Sequence, residues 1–239
     1  MPKHAQRGAI DREDDSALQE AYEDEARRLY LRYAIEFVEG LNLCPWATSA
    51  RVAGKTRVEI LTKNDPSPED ALAPAHSISC DETIEVGLLV FPRLSLDRLG
   101  FERFVARVRE LDAERYGIEG PRMAMAAFHP EAEARFGNPY QLVPFIRRTP
   151  DPTIQLVRRS VLESLRQNHV EGTAWVDLSK VSVEELLKKK TKPPLHERIA
   201  ENNFEKLSEY GIDHAKAILD EIRRDRDETY GAIEMRYKK

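Results

Sequence analysis

The run Ile84-Glu85-Val86-Gly87-Leu88-Leu89-Val90-Phe91 limits the fold more than any other stretch of the chain. Only Glu85 and Gly87 interrupt it. Side chains alternate between the two faces of a strand, so a strand apolar at both sets of positions must be covered on both sides. That is the condition of a central strand in an α/β sheet. The run is much too short for a membrane span, which needs about 18–20 apolar residues. Met123–Phe128 is a second run of this kind. Between the two, Phe101, Phe104, Val105, Val108 and Leu111 recur at helical spacing up to Gly117. Strand, helix and strand in this order predict a right-handed crossover joining two parallel strands.

The other elements follow from pattern and punctuation. Tyr22, Ala26, Leu29, Tyr30, Tyr33, Ala34 and Phe37 mark one face of a helix, which Gly40 is expected to end in the left-handed conformation. Arg57–Leu61 alternates as a short strand, and Lys63–Ser79 reads as loop with at most one helical turn. Residues Glu131–Pro150 form a long connection, of the kind that is usually functional or mobile. Asp151-Pro152 reads as an N-cap and first helical residue, opening a helix that carries Ile154, Val157, Val161, Leu162 and Leu165. Gly172–Asp177 is a further strand candidate. Ser182-Val183-Glu184-Glu185 makes a capping box between Val181 and Leu186. Leu195–Tyr210 and the stretch from Ile212 are helical, split by Gly211. The expected fold is α/β: a mixed sheet of about four strands with packed helices. A mobile polar tail is expected over residues 1–15, ahead of one domain over 16–239 that is closed by a helical segment from about 195.

Charge and cysteine content then exclude several classes. Lys and Arg total 37 against 42 Asp and Glu, a net charge of −5, so the basic footprint of sequence-independent nucleic-acid binding is missing. The run Lys188-Lys189-Lys190-Thr191-Lys192 is read as a solvated helix end. Met1–Arg7 lacks the apolar core of a secretory signal, so the expectation is a cytoplasmic protein without a membrane segment. Two cysteines, Cys44 and Cys80, are too few for a disulfide framework or a four-cysteine zinc site. The oligomeric state and any cofactor are not legible.

Four places could carry chemistry. In Asn42-Leu43-Cys44-Pro45-Trp46, the proline forces Cys44 out of helical geometry at a fixed bend. The preceding helix C-terminus disfavours a thiolate there, so reactivity needs a cation or histidine from elsewhere; the other reading is a small buried hydrophobe. His129 follows a strand end, where α/β sheets bind ligands, as a base or metal ligand or as a ring that pins the turn before Pro130. Arg147 and Arg148 precede the expected helix N-terminus and suit a carboxylate or phosphate, or else pair with surface acids. His76 and Cys80 stand four apart, but Ala75–Cys80 is a poor helix sequence, so ligation there is weakly signalled. Glu85 is a charge inside an apolar strand and needs a partner or an exposed edge.

Gly40-Leu41-Asn42-Leu43-Cys44-Pro45-Trp46-Ala47, Ala127-Phe128-His129-Pro130 and Arg148-Thr149-Pro150-Asp151-Pro152 occur in the order of a known group, as does His196–Asn202 more weakly. On these segments the chain resembles the bacterial domain-of-unknown-function family 1415 over about residues 20–215. The chain departs from the family pattern at Trp46, Phe91, Arg147 and Thr149, where phenylalanine, histidine, asparagine and serine are usual. The resemblance implies that Asn42, Cys44, His129 and Arg148 are what the family keeps, and it implies no activity.

Three functions compete. One is an enzyme on a small anionic metabolite, with His129 as acid/base, Arg148 and Arg147 as anion anchors, Cys44 as nucleophile or redox thiol, and Asn42 as oxyanion donor. The second is a metal or haem protein ligated by Cys44 and His129, with His76 or Cys80. The third is a non-catalytic interaction module using the C-terminal helices. The enzyme is favoured, and it requires sulfur, imidazole and guanidinium to share one hollow.

Overall fold

The structure is a computed structural model that describes residues 3–44, 46–167 and 195–237, with side chains described over 15–44, 46–164 and 197–237. The strand expected at Gly172–Asp177, the capping box at Ser182 and the Lys188–Lys192 run lie outside the described residues.

The described residues form a four-stranded mixed sheet in the order β1-β2-β4-β3. Its strands are β1 (Thr56–Ile60), β2 (Val86–Val90), β3 (Met123–Phe128) and β4 (Thr153–Arg158). β1 and β2 are parallel; β4 lies between β2 and β3 and runs against both, so β2 and β3 share a direction without touching. All of β2 is buried, as its apolar run requires. Glu85 falls just ahead of β2 and pairs with Lys55 Nζ at 2.6 Å, which removes the problem of a charge inside the strand.

β4 corrects the sequence expectation. Asp151-Pro152 does not open a helix; Thr153–Arg158 is a strand, and α6 (Arg159–Gln167) begins only after it. The β-branched residues Thr153, Ile154 and Val157 suit the pleat, and β4 bonds on both edges, so ladder pairing overrides the local helix signal. Asp151 has another use. Its carboxylate, 1% exposed, accepts from Arg226 Nε and Tyr230 Oη, each at 2.7 Å, and ties the start of β4 to the C-terminal helix. Burial pushes this carboxyl up from its ordinary value, while Arg226 and Tyr230 hold it back.

The helices divide between the two sheet faces. α3 (Leu72–Cys80) and α4 (Arg98–Tyr116) cover one face. Their Ala75, Ile78, Phe101, Val105 and Val108 form a core with Leu89, Ile154, Leu156 and Met123 of the sheet. α3 stands where a loop is expected, because Ala75 and Ile78 are buried against the sheet at Gly87. The helix puts His76 and Cys80 on one face, Sγ to Nε2 3.4 Å. α4 ends as its sequence requires, at Gly117 with φ +53°.

On the other side, α1 (Lys3–Arg32), α5 (Pro139–Ile146), α7 (Leu195–Tyr210) and α8 (Ile212–Tyr237) build a second core. It contains Leu29, Tyr33, Phe37, Leu142, Phe145, Leu207, Ile222 and Tyr230. α5 lies within the connection expected to be loop; Asn138 caps it, accepting from the Gln141 N–H at 3.0 Å, and Pro139 is its first residue. Arg28 and Arg32 of α1 bind Asp225 of α8 and hold its carboxyl down at about 2.

α1 runs into a π-helix over Tyr33–Glu39. Gly40 ends it with φ −59°, not in the left-handed region; Asn42 takes that conformation, at φ +51°. Gly40 is required for another reason, since a Cβ there would stand 2.5 Å from the Glu36 carbonyl oxygen. The Leu41–Cys44 turn follows the π-helix, and α2 (Ala47–Val52) begins just after it. Among the described residues no helix is long and apolar enough to cross a membrane.

Candidate functional site

The strand register fixes what each sheet face presents. Thr56, Val86, Val157 and Ala124 are mutual neighbours on one face, as are Leu88, Gln155 and Ala126. This is the face turned away from α3 and α4. It is not filled by the second core: a cavity of about 360 Å³ lies between sheet and helices. Val86, Leu88, Gln155, Val157 and Phe128 make its floor, and the π-helix, α2, α5, α6 and α7 supply its walls. Pockets of this size and apolar character hold small molecules.

Few polar groups reach this space. Glu39 and Arg51 do so as a closed pair, with Nε–Oε1 2.7 Å and Nη2–Oε2 2.8 Å. The Arg51 hydrogen bonds hold the Glu39 carboxyl below its ordinary range, so it is ionised and committed. The Tyr33 hydroxyl donates to the Ile146 carbonyl. Tyr30 lines the wall with a pKa raised by burial. Asn203 of α7 lines it as well, 4% exposed, and its side-chain oxygen is buried without a hydrogen-bond partner among the described residues.

Of the residues picked from sequence, the cavity brings two together, Cys44 and Arg147. Cys44 is partly buried, and burial raises its thiol pKa, although the N–H groups of Trp46 and Ala47 work the other way. At neutral pH it is a thiol. Arg147 caps the end of α5 and keeps open surface. The protein packed around it still pushes its pKa below the ordinary arginine value, with Tyr33 opposing and Arg109 reinforcing the shift. A side chain crowded by protein yet touched by solvent is what a cavity wall or rim produces. Its guanidinium lies 5.6 Å from the Phe128 ring centroid, and no carboxylate pairs with it among the described residues. It remains a cation at neutral pH.

The other three residues lie elsewhere. His129 is 6% exposed and is held at both ring nitrogens by backbone: Nε2 donates to the Leu96 carbonyl at 3.0 Å and Nδ1 accepts from the Glu131 N–H at 3.2 Å. Desolvation lowers its pKa. This is the turn-pinning arrangement. Arg148 turns away from Arg147; its Nε donates to the Ala132 carbonyl at 2.7 Å, and its guanidinium covers Phe145. With β4 following instead of a helix, no helix N-terminus stands beside the two arginines. Asn42 is exposed and serves the left-handed turn. Cys44, His129 and Arg148 therefore do not share one hollow. Among the described residues no group of three His, Cys, Asp or Glu side chains could hold a metal ion.

Sequence reasoning missed Asn203 and the sheet floor. A register-based reading of β4 was the available signal for the floor, since Gln155 and Val157 point one way only once the strand is recognised. Asn203 had no local signal.

A family model described as protein of unknown function matches residues 31–176. The chain belongs to the DUF1415 family. The match takes in the π-helix, α2, the whole sheet, α5 and α6, so the DUF1415 region supplies the floor and most walls of the cavity. α7, including the His196–Asn202 segment and Asn203, lies beyond it. Comparison with curated proteins and with solved structures gives no match.

Proposed function

We propose that this DUF1415 protein binds a small organic carboxylate with a largely apolar body in the cavity on the sheet. One observation carries the reading: Arg147 offers a guanidinium to a largely apolar space, with no acid partner among the described residues. Arg147 keeps solvent-exposed surface at the cavity, where it can meet an incoming anion, and the planar fork of arginine fits a carboxylate through two parallel bonds. Arg51 is spent on Glu39 and Arg148 on Ala132, which leaves Arg147 as the anchor. At about 360 Å³ the cavity has room for roughly twelve waters, or an organic molecule with about as many non-hydrogen atoms. The flat sheet floor of Val86, Leu88 and Val157 favours a planar or extended body.

In this reading Cys44 is a wall group. Its thiol is protonated at neutral pH and no histidine lines the cavity among the described residues, so thiol catalysis by a Cys44–His129 pair does not belong to the proposal. The test is calorimetric titration of the protein with a homologous series of ω-phenylalkanoates and the matching neutral carboxamides. Saturable one-to-one binding of acids over amides is expected. Arg147→Met, which keeps the aliphatic stem, should weaken acid binding about tenfold or more. Equal affinity for acids and amides, or no effect of Arg147→Met, would overturn the reading.

A further inference from the structure

If the carboxylate end sits at Arg147, α7 indicates what the rest of the ligand must present. Asn203 borders the cavity, is nearly fully buried, and its amide oxygen has no partner among the described residues. Buried polar atoms in native proteins are almost always hydrogen-bonded, so an orphan acceptor on a cavity wall marks a place for a donor from outside the chain. The other such atom among the described residues, Arg198 Nε, is on the same helix but does not border the cavity.

We propose that Asn203 is a second ligand anchor and that the ligand is a hydroxy acid: an apolar body with a carboxylate held by Arg147 and a hydroxyl paired with the Asn203 amide. This rests on the carboxylate reading above and adds the second polar group. An ammonium in place of the hydroxyl would need a free acid, and Glu39, the acid on this wall, is bound through both oxygens to Arg51. A hydroxyl both donates and accepts, so it satisfies the amide in either orientation of its oxygen and nitrogen. Asn203 lies outside the residues of the family match.

The experiment compares each ω-phenylalkanoate with its para-hydroxy counterpart by calorimetry, on the full chain and on Asn203→Leu. At one chain length or more the hydroxylated acid should bind wild type at least about tenfold tighter than its parent. Asn203→Leu should erase that preference while retaining the parent acid. The unliganded variant should melt at or above the wild-type temperature, because the Oδ1 it removes has no hydrogen-bond partner among the described residues. Parent and hydroxylated acids of equal affinity throughout, both weakened by Arg147→Met, would overturn the hydroxyl assignment and leave the carboxylate reading standing. Failure of every acid to bind would remove both. A lower melting temperature in both Asn203→Leu and Asn203→Ala would mean that the amide holds the protein together, and would also overturn the proposal.

Discussion

Replacing Gly87 with alanine tests the packing that keeps one sheet face solid. A methyl group at Gly87 would stand 2.6 Å from Ile78 Cγ2, 3.1 Å from its Cδ1 and 3.4 Å from Leu156 Cβ. Ile78 is 0% exposed and Leu156 is 0% exposed, so neither side chain has space to yield. Overpacking of this kind costs about 1–3 kcal/mol, against about 0.5–1 kcal/mol that alanine gains over glycine in a strand. Gly87→Ala should therefore destabilise by roughly 1–2 kcal/mol. Ile78→Ala alone should cost about 2–5 kcal/mol through the cavity it leaves. In the Ile78→Ala background, however, the new methyl enters space that Cγ2 has vacated, and Gly87→Ala should become neutral or stabilising. The double-mutant cycle, read from urea midpoints followed by circular dichroism, should give a coupling of about 1–3 kcal/mol. The same loss from Gly87→Ala in both backgrounds would refute the placement of α3 against β2.

Two further outcomes follow from the buried titratable groups. His129 has a folded pKa depressed below its ordinary value of about 6.5. Its contribution to stability is therefore complete above about pH 6.5 and is lost as the pH falls towards the folded value. The wild-type urea midpoint should drop between about pH 6.5 and pH 5, and His129→Asn, which keeps an acceptor for the Glu131 N–H, should flatten that slope; an unchanged slope would remove His129 as its source. Cys80 is exposed and Cys44 is a raised-pKa thiol, so iodoacetamide at neutral pH should label Cys80 first, as read by intact mass. Cys80→Ser should then stay almost unlabelled until the pH passes the ordinary thiol value of 9.0, whereas rapid neutral labelling of Cys44 would restore a nucleophilic role.

Patterns that tertiary contacts reinforce were readable in the chain. The apolar run at Ile84 became buried β2, the Phe101 stripe became the inner face of α4, and the Gly211 break has φ +88°. The failures share a cause. Asn138-Pro139 and Asp151-Pro152 carry the same local signature, yet one starts α5 and the other precedes β4. What separates them is a partner distant in sequence: β4 is held by ladders to β2 and β3, and Asp151 is taken by Arg226 and Tyr230. The site was legible in part for the same reason. The bend at Cys44 and the charge at Arg147 are local features, and both reach the cavity. Whether His129 and Arg148 also reach it depended on backbone carbonyls at Leu96 and Ala132, which no side-chain pattern encodes.

The alternation of side chains along β2 and β4 gives neighbouring residues different evolutionary freedom. Leu89, Ile154 and Leu156 are locked into the α3–α4 core, while Val86, Leu88, Gln155 and Val157 look into the hollow. If the cavity binds a ligand as proposed, substitutions at the second set should change what it accepts while the first set carries the fold. A library confined to those alternate positions is the expected way to vary ligand preference with the α3–α4 core intact.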